Sequence, residues 1–217
     1  MLNSLYFFFE LFAFICCLYA YKKLDRNFKI FLPFLAFIVI FEFANMYDWL
    51  MWRHTNAWCY NFEGIIELTI YGWFMASLDK RRSYRKKVYM AIVAGIAITL
   101  IDIFLIQGFW TLATISIVVQ NTILATLVCI YYYNLVNNSD EYLDLLSYPP
   151  FYTTIGLLFY TLTNFFYYAF FSYMLYVKNY HFYMVAKVIC DIGCVFIYSL
   201  LAVSFLCFSR TKKLSLF

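Results

Sequence analysis

The stretch VYMAIVAGIAITLIDIFLIQ, residues 88–107, holds a single charged side chain, Asp102. A run of this length and apolarity suits a helix through about 30 Å of hydrocarbon. Directly before it stands RRSYRKK, residues 81–87, with five basic side chains. An uninterrupted apolar helix with a basic collar on one end is the signature of a membrane span with its basic end on the cytoplasmic side. Working outward in both directions, six more apolar segments follow the same pattern, at residues 3–21, 30–52, 58–78, 112–134, 150–174 and 184–208. The connections between them are short, so a single transmembrane domain over residues 1–217 is expected.

Composition agrees with that reading. The chain has 217 residues, of which 65% are hydrophobic, against 16 Lys and Arg and 12 Asp and Glu. A soluble globular domain carries charge on about a quarter of its residues, and a disordered chain has low hydrophobicity. Both classes are excluded. A transmembrane barrel would show alternating rather than continuous apolar runs. The fold class expected is therefore all-α: a polytopic membrane protein with seven transmembrane helices.

Orientation follows from the bases. Lys22, Lys23, Arg26 and Lys29 share one loop, and Lys80, Arg81, Arg82, Arg85, Lys86 and Lys87 share another. Arg210, Lys212 and Lys213 lie in the tail. Alternating helices bring these thirteen to one side and leave Arg53, Lys178 and Lys187 on the other. The positive-inside rule then sets the N-terminus outside and the C-terminus in the cytoplasm. The loop 137–144 falls inside and carries only acids, Asp140, Glu141 and Asp144, which weigh little in that rule. Trp49, Trp52, Trp58 and Trp110 fall near outer boundaries, where indole rings prefer to sit. The first helix lacks a basic leader and a cleavage site, and reads as a retained anchor. A bacterial inner membrane is the expected location.

The informative residues are acids inside these segments: Glu10, Glu42, Asp48, Glu63, Glu67, Asp102 and Asp191. Counted along the helices at about 1.5 Å per residue, they all fall in the outer half, with Glu42 deepest at about 15 Å. An ionised carboxylate in hydrocarbon is costly unless solvated, paired or protonated. A polar cavity opening outward is the physical inference. Glu63 and Glu67 stand one turn apart on one face, where two carboxylates disfavour joint ionisation. Glu42, Asn45 and Asp48 recur every third residue, Asn61 lies at the entrance, and Lys187 with Asp191 can pair one turn apart. The ligand- or ion-binding candidates are thus Glu42, Asn45, Asn61, Glu63, Glu67, Lys187 and Asp191. The competing structural reading makes such groups interhelical hydrogen bonds, each worth about 1 kcal/mol or less.

No catalytic constellation emerges. No serine sits in a nucleophile elbow and no phosphate loop is present. His54 and His181 sit in outer loops without metal-ligand spacing, and Cys190 with Cys194 lacks a second pair. Of seven cysteines only Cys59 is near the outer face, so no outer disulfide is expected. Lys187 lies too near the outer end for a retinal attachment. No enzyme activity, cofactor or metal is expected. The basic residues Lys80, Arg81, Arg82, Arg85, Lys86 and Lys87 are candidates for contact with a cytoplasmic partner or with anionic lipid, whereas RNA contact is not expected.

Three short motifs carry a resemblance. Asn61-Phe-Glu-Gly-Ile-Ile-Glu67, Leu105-Ile-Gln-Gly-Phe109 and Phe151-Tyr-Thr-Thr-Ile-Gly-Leu-Leu-Phe-Tyr160 resemble small seven-helix membrane proteins common in Bacteroidota. Some such proteins are similar to the sensor portions of histidine kinases. Size and architecture also resemble the membrane accessory proteins of type VI-B CRISPR loci. That resemblance implies a non-catalytic accessory or regulatory protein acting through a cytoplasmic partner, in antiviral defense. The alternatives are a seven-helix sensor with an outward acidic cavity, whose short tail implies a separate signalling partner, and a small-solute or proton-coupled transporter. Only Pro33, Pro149 and Pro150 occur, and no repeat of broken helices supports the transporter.

Overall fold

The computed structural model describes residues 2–138, 148–177 and 180–214. Lys178, Asp140, Glu141 and Asp144, and the side chains of Arg210, Lys212 and Lys213, lie outside the described residues. The helices are α1 (Leu2–Ala20), α2 (Phe31–Met46), α3 (Ala57–Leu78), α4 (Arg82–Ile101), α5 (Thr114–Asn138), α6 (Pro149–Val177) and α7 (Tyr180–Leu214). No strand occurs among the described residues. Four helical stretches are long and apolar enough to cross a membrane: Arg82–Ile106, Thr114–Asn137, Pro149–Phe171 and Tyr180–Phe208. Pro149 and Pro150 open α6, where a missing N–H leaves no hydrogen bond unmade. Pro33 stands in the first turn of α2 for the same reason.

Several boundaries depart from the sequence reading; α7, expected over 184–208, runs from Tyr180 to Leu214 and so takes in His181 and the start of the basic tail. The segment 30–52 stops being helical at Met46, because Asp48, Arg53 and His54 adopt positive φ and fold residues 47–56 into a loop. The basic stretch 79–87 was expected as a loop, yet α4 begins at Arg82. Asp79 makes that start. Its Oδ1 accepts the Arg81 backbone N–H at 2.8 Å, and the Arg81 guanidinium closes on Oδ2 at 2.5 Å.

Six helices form a ring. The most extensive pairing is α6 with α7, followed by α1 with α7 and α5 with α6. Within the ring, α1 with α2 and α3 with α5 come next. Rings of Phe31 and Phe34 on α2 meet Tyr71 and Phe74 on α3 and close the circle. The remaining helix, α4, lies outside against α3 and α5. It buries little more than a quarter of its most apolar window, whereas α7 buries half. At the basic end of the bundle the interior is a solid aromatic plug. Phe28, Phe31, Phe74, Phe205 and Phe208 meet edge to face with centroids 4.8–6.4 Å apart. The outer wall is apolar: Phe8, Phe12 and Ile15 on α1, Ile101 at the end of α4 and Leu105 beyond it are all about half exposed or more. Polar groups are instead gathered inside. This inverted arrangement suits a surrounding of lipid tails.

The start of α5 shows how the interior satisfies its backbone. The first N–H groups of a helix lack intrahelical acceptors, and no water is at hand in an apolar setting. Three side chains supply them. Asn61 Oδ1 accepts from Ala113 N at 2.9 Å, Gln107 Oε1 from Ile115 N at 3.3 Å, and Asp102 Oδ2 from Ser116 N at 2.9 Å. A π turn over Asp102–Ile106 swings Asp102 into this position, fully buried. Asp102 is therefore a helix cap, and its negative charge suits the positive end of the α5 dipole. Replacing it with Ala removes that cap. Asp102→Ala is expected to destabilise by about 1–2 kcal/mol, a Tm drop of about 2–8 °C for a chain this size. Asp102→Asn, which keeps an acceptor, should lose less. Thermal unfolding of the purified protein checks the order.

Candidate functional site

At the end opposite the aromatic plug the ring encloses a polar cavity of about 250 Å³. All six ring helices contribute to its wall and α4 does not. Glu10 comes from α1, Glu42 from α2, Glu63 and Glu67 from α3, and Asp191 from α7. These positions lie in the first halves of α1, α3 and α7 and the second half of α2, so alternating helices carry them to the same level. Among the described residues, Lys187 is the one basic side chain on the wall. The spaces between the acids are filled by tyrosines: Tyr6, Tyr60, Tyr160, Tyr167, Tyr168 and Tyr198.

Two carboxylates are held by hydroxyl donors. Tyr160 on α6 donates to both oxygens of Glu67, at 3.0 and 2.9 Å. Tyr6 on α1 donates to Glu42 Oε2 at 3.1 Å. Two others are incompletely satisfied. Glu10 is 3% exposed and Asp191 8% exposed, and Glu10 Oε2 and Asp191 Oδ2 have no hydrogen-bond partner among the described residues. Leaving a buried charged group short of partners costs more than an ordinary hydrogen bond returns. Both residues line the cavity. Lys187 acts electrostatically on Asp191 from one turn away. Glu63 and Glu67, half-buried, interact across one turn of α3, and Glu10 and Glu42 are within reach of them. The acids are spread around the wall rather than converging. Among the described residues, no three His, Cys, Asp or Glu side chains are placed to share a metal ion.

A wider vestibule of about 610 Å³ lies beside the cavity and shares Tyr60, Tyr167 and Tyr168 with it. Trp110, Phe171 and Tyr183 continue its aromatic rim. Arg53 stacks over the Trp110 ring with its guanidinium carbon 4.9 Å from the centroid. Cation and aromatic face thus already meet at the entrance.

Five of the seven residues singled out in the sequence meet in the cavity: Glu42, Glu63, Glu67, Lys187 and Asp191. The other two stand elsewhere. Asn61 is committed to the loop before α5, donating to Thr111 O at 2.9 Å and accepting from Ala113 N. Asn45 accepts from Asn56 Nδ2 at 3.4 Å and helps shape the loop after α2. Asp102 caps α5, as described above. Glu10 on α1, read in the sequence as an outer-half acid but not as a binding candidate, joins the five in the cavity, and the tyrosine walls were not anticipated. A signal existed on α6, where Tyr160, Asn164, Tyr167 and Tyr168 recur at the spacing of one helix face.

At the basic end, four of the six singled-out residues belong to the first turns of α4. Arg85 Nε donates to Asp79 O at 2.8 Å. The Arg81 guanidinium beside Asp79 holds its carboxyl below the usual carboxylate range. The clamp is therefore present at neutral pH and is lost only as pH falls through that lowered value. The protection factor of the Arg81 amide in hydrogen exchange should hold at neutral pH and fall only in acid, as Asp79 takes up a proton.

The bond between α3 and α6 has a measurable consequence. Tyr160→Phe strips Glu67 of its donor and is expected to destabilise by about 1 kcal/mol. Combined with Glu67→Gln, the loss should fall well short of the sum of the two single changes. Additivity within about 0.5 kcal/mol would show that the pair is not coupled. No family model matches the chain, and no curated protein or solved structure was found to be similar to it.

Proposed function

We propose that this chain is a non-catalytic, seven-span membrane receptor whose tyrosine-walled acidic cavity takes up an organic cation. One observation carries the reading: among the described residues, five carboxylates from four helices line one small cavity with a single ammonium group, and two of them keep an oxygen unpartnered. Such groups in an apolar bundle mark a site more often than a scaffold. Tyrosine faces attract organic cations, and hydroxyls orient the acids around them. The scattered carboxylates suit a diffuse or elongated positive charge better than a bare metal ion.

In this reading α1, α2 and α3 join the four long apolar helices as membrane spans. At 16 residues α2 is about 24 Å long, and the loop carrying Trp49 and Trp52 completes its passage at the headgroup level. The basic collars face the cytoplasm, and the vestibule and cavity open outside. The aromatic plug closes the cavity toward the cytoplasm, which favours a receptor over a conduit. A cytoplasmic signalling partner at the basic face completes the scheme. The accessory-protein reading uses that same face but gives the cavity no guest.

Thermal unfolding in lipid nanodiscs separates these readings. Tetramethylammonium and putrescine serve as probes, with glutamate and glucose as anionic and neutral controls. A cation at a hundredfold excess over its Kd stabilises by about 2.7 kcal/mol, or about 5–10 °C in Tm. The shift should vanish in the Glu63→Gln, Glu67→Gln double variant. No shift with either cation, or an equal shift with glutamate, overturns the proposal.

A further inference from the structure

A second concavity lies on the outside of the bundle, shares no lining residue with the acidic cavity and is independent of the receptor reading. It is a groove of about 510 Å³ between the first turns of α4 and the last turns of α5. Its two ends differ in chemistry. Arg81, Ser83 and Lys87 line the end at the basic collar. Farther along, Val88, Ala91, Ile123, Leu127 and Ile130 make an apolar trough. Two threonines also line the trough, but neither offers a free donor. Thr122 Oγ1 donates to Val118 O at 2.8 Å and Thr126 Oγ1 to Thr122 O at 2.7 Å within α5. Their exposed methyl groups extend the apolar wall.

The length of the groove is informative. From Asn134 to Thr122 the α5 wall runs about 18 Å, close to the roughly 15 Å half-thickness of a bilayer's hydrocarbon core. Both helices that form it are among those able to cross a membrane. A basic mouth over an apolar slot one leaflet deep is complementary to one kind of molecule. Its head must be anionic and its tail an acyl chain.

We propose that the α4–α5 groove is a specific site for one anionic phospholipid, with the phosphate at Lys87 and Arg81 and an acyl chain along Ala91, Leu127 and Ile130. The positive end of the α4 dipole points at the same phosphate position. Arg81 shares its charge with Asp79, so Lys87 carries the larger part of the attraction. Lys86 is the natural comparison. It has the same charge and is one residue away, but it lines a different, broader depression on the opposite side of α4 together with Arg82 and Arg85.

Native mass spectrometry of the protein released from mixed phosphatidylglycerol and phosphatidylcholine tests this. One phosphatidylglycerol is expected to stay bound in preference to phosphatidylcholine. Lys87→Gln should weaken its retention about fivefold, the worth of one basic charge near a membrane surface. Thr126→Phe, which fills the trough from an exposed position, should weaken it without any change of charge. Lys86→Gln should leave it unaltered, and glycerol phosphate without acyl chains should not compete. Size-exclusion profiles in detergent confirm that each variant is folded, and the Lys86 and Thr126 variants keep the comparison open if Lys87→Gln is not. Equal retention of the two lipids, equal losses from Lys86→Gln and Lys87→Gln, or no loss from Thr126→Phe would each overturn the site.

Discussion

The hydrogen bonds from Tyr160 to both oxygens of Glu67 join α6 to α3 across the interior of the bundle. Much of the architecture depends on them. A helix ring around a void tends to collapse until side chains fill the space, because lipid offers no force that keeps helices apart. Here the void is spanned rather than filled. The carboxylate fixes α3 and the phenol fixes α6. Tyr6 with Glu42 repeats the device between α1 and α2. Polar groups that seem out of place in so apolar a chain are what hold the cavity open.

That cavity divides the molecule into two halves with opposite rules. Toward the basic end, packing follows ordinary core logic, with rings of Phe28, Phe31 and Phe74 meeting edge to face. Toward the other end, the same helices face inward with acids, amides and phenols. Each helix thus carries a polar stretch over only part of its length. This explains why the helices look apolar when averaged along their whole length, even though the interior contains most of the chain's buried charge.

The helices themselves were legible because apolar runs about twenty residues long have few other fates. The acids of α2, α3 and α7 were legible because a charge stands out in such a run. The rest was hidden by specific causes. Tyrosine occurs 22 times, so the six on the cavity wall do not stand out by type. Asp102 and Asn61 are as polar as Glu63 and as close to the helix ends, yet they serve backbone amides at the start of α5. Only the three-dimensional position of those amides distinguishes a cap from a binding group. The early stop of α2 depended on three residues with positive φ, none of them glycine, which leave no mark in hydropathy.

The position of α4 outside the ring has a topological consequence. Cavity residues lie near the N-terminal ends of both α3 and α5, so these neighbours run parallel. Two parallel helices cannot be joined by a short turn. The chain has to travel back the full length of the bundle between them, and α4 is that return stroke. It supplies no side chain to the cavity wall itself, and its inward hold on that wall is Thr99, which accepts from Gln120 Nε2 at 2.7 Å. Selection should therefore act on α4 as on a strap. Its middle turns should accept most apolar exchanges, while Asp79 at one end and Asp102 at the other should tolerate few.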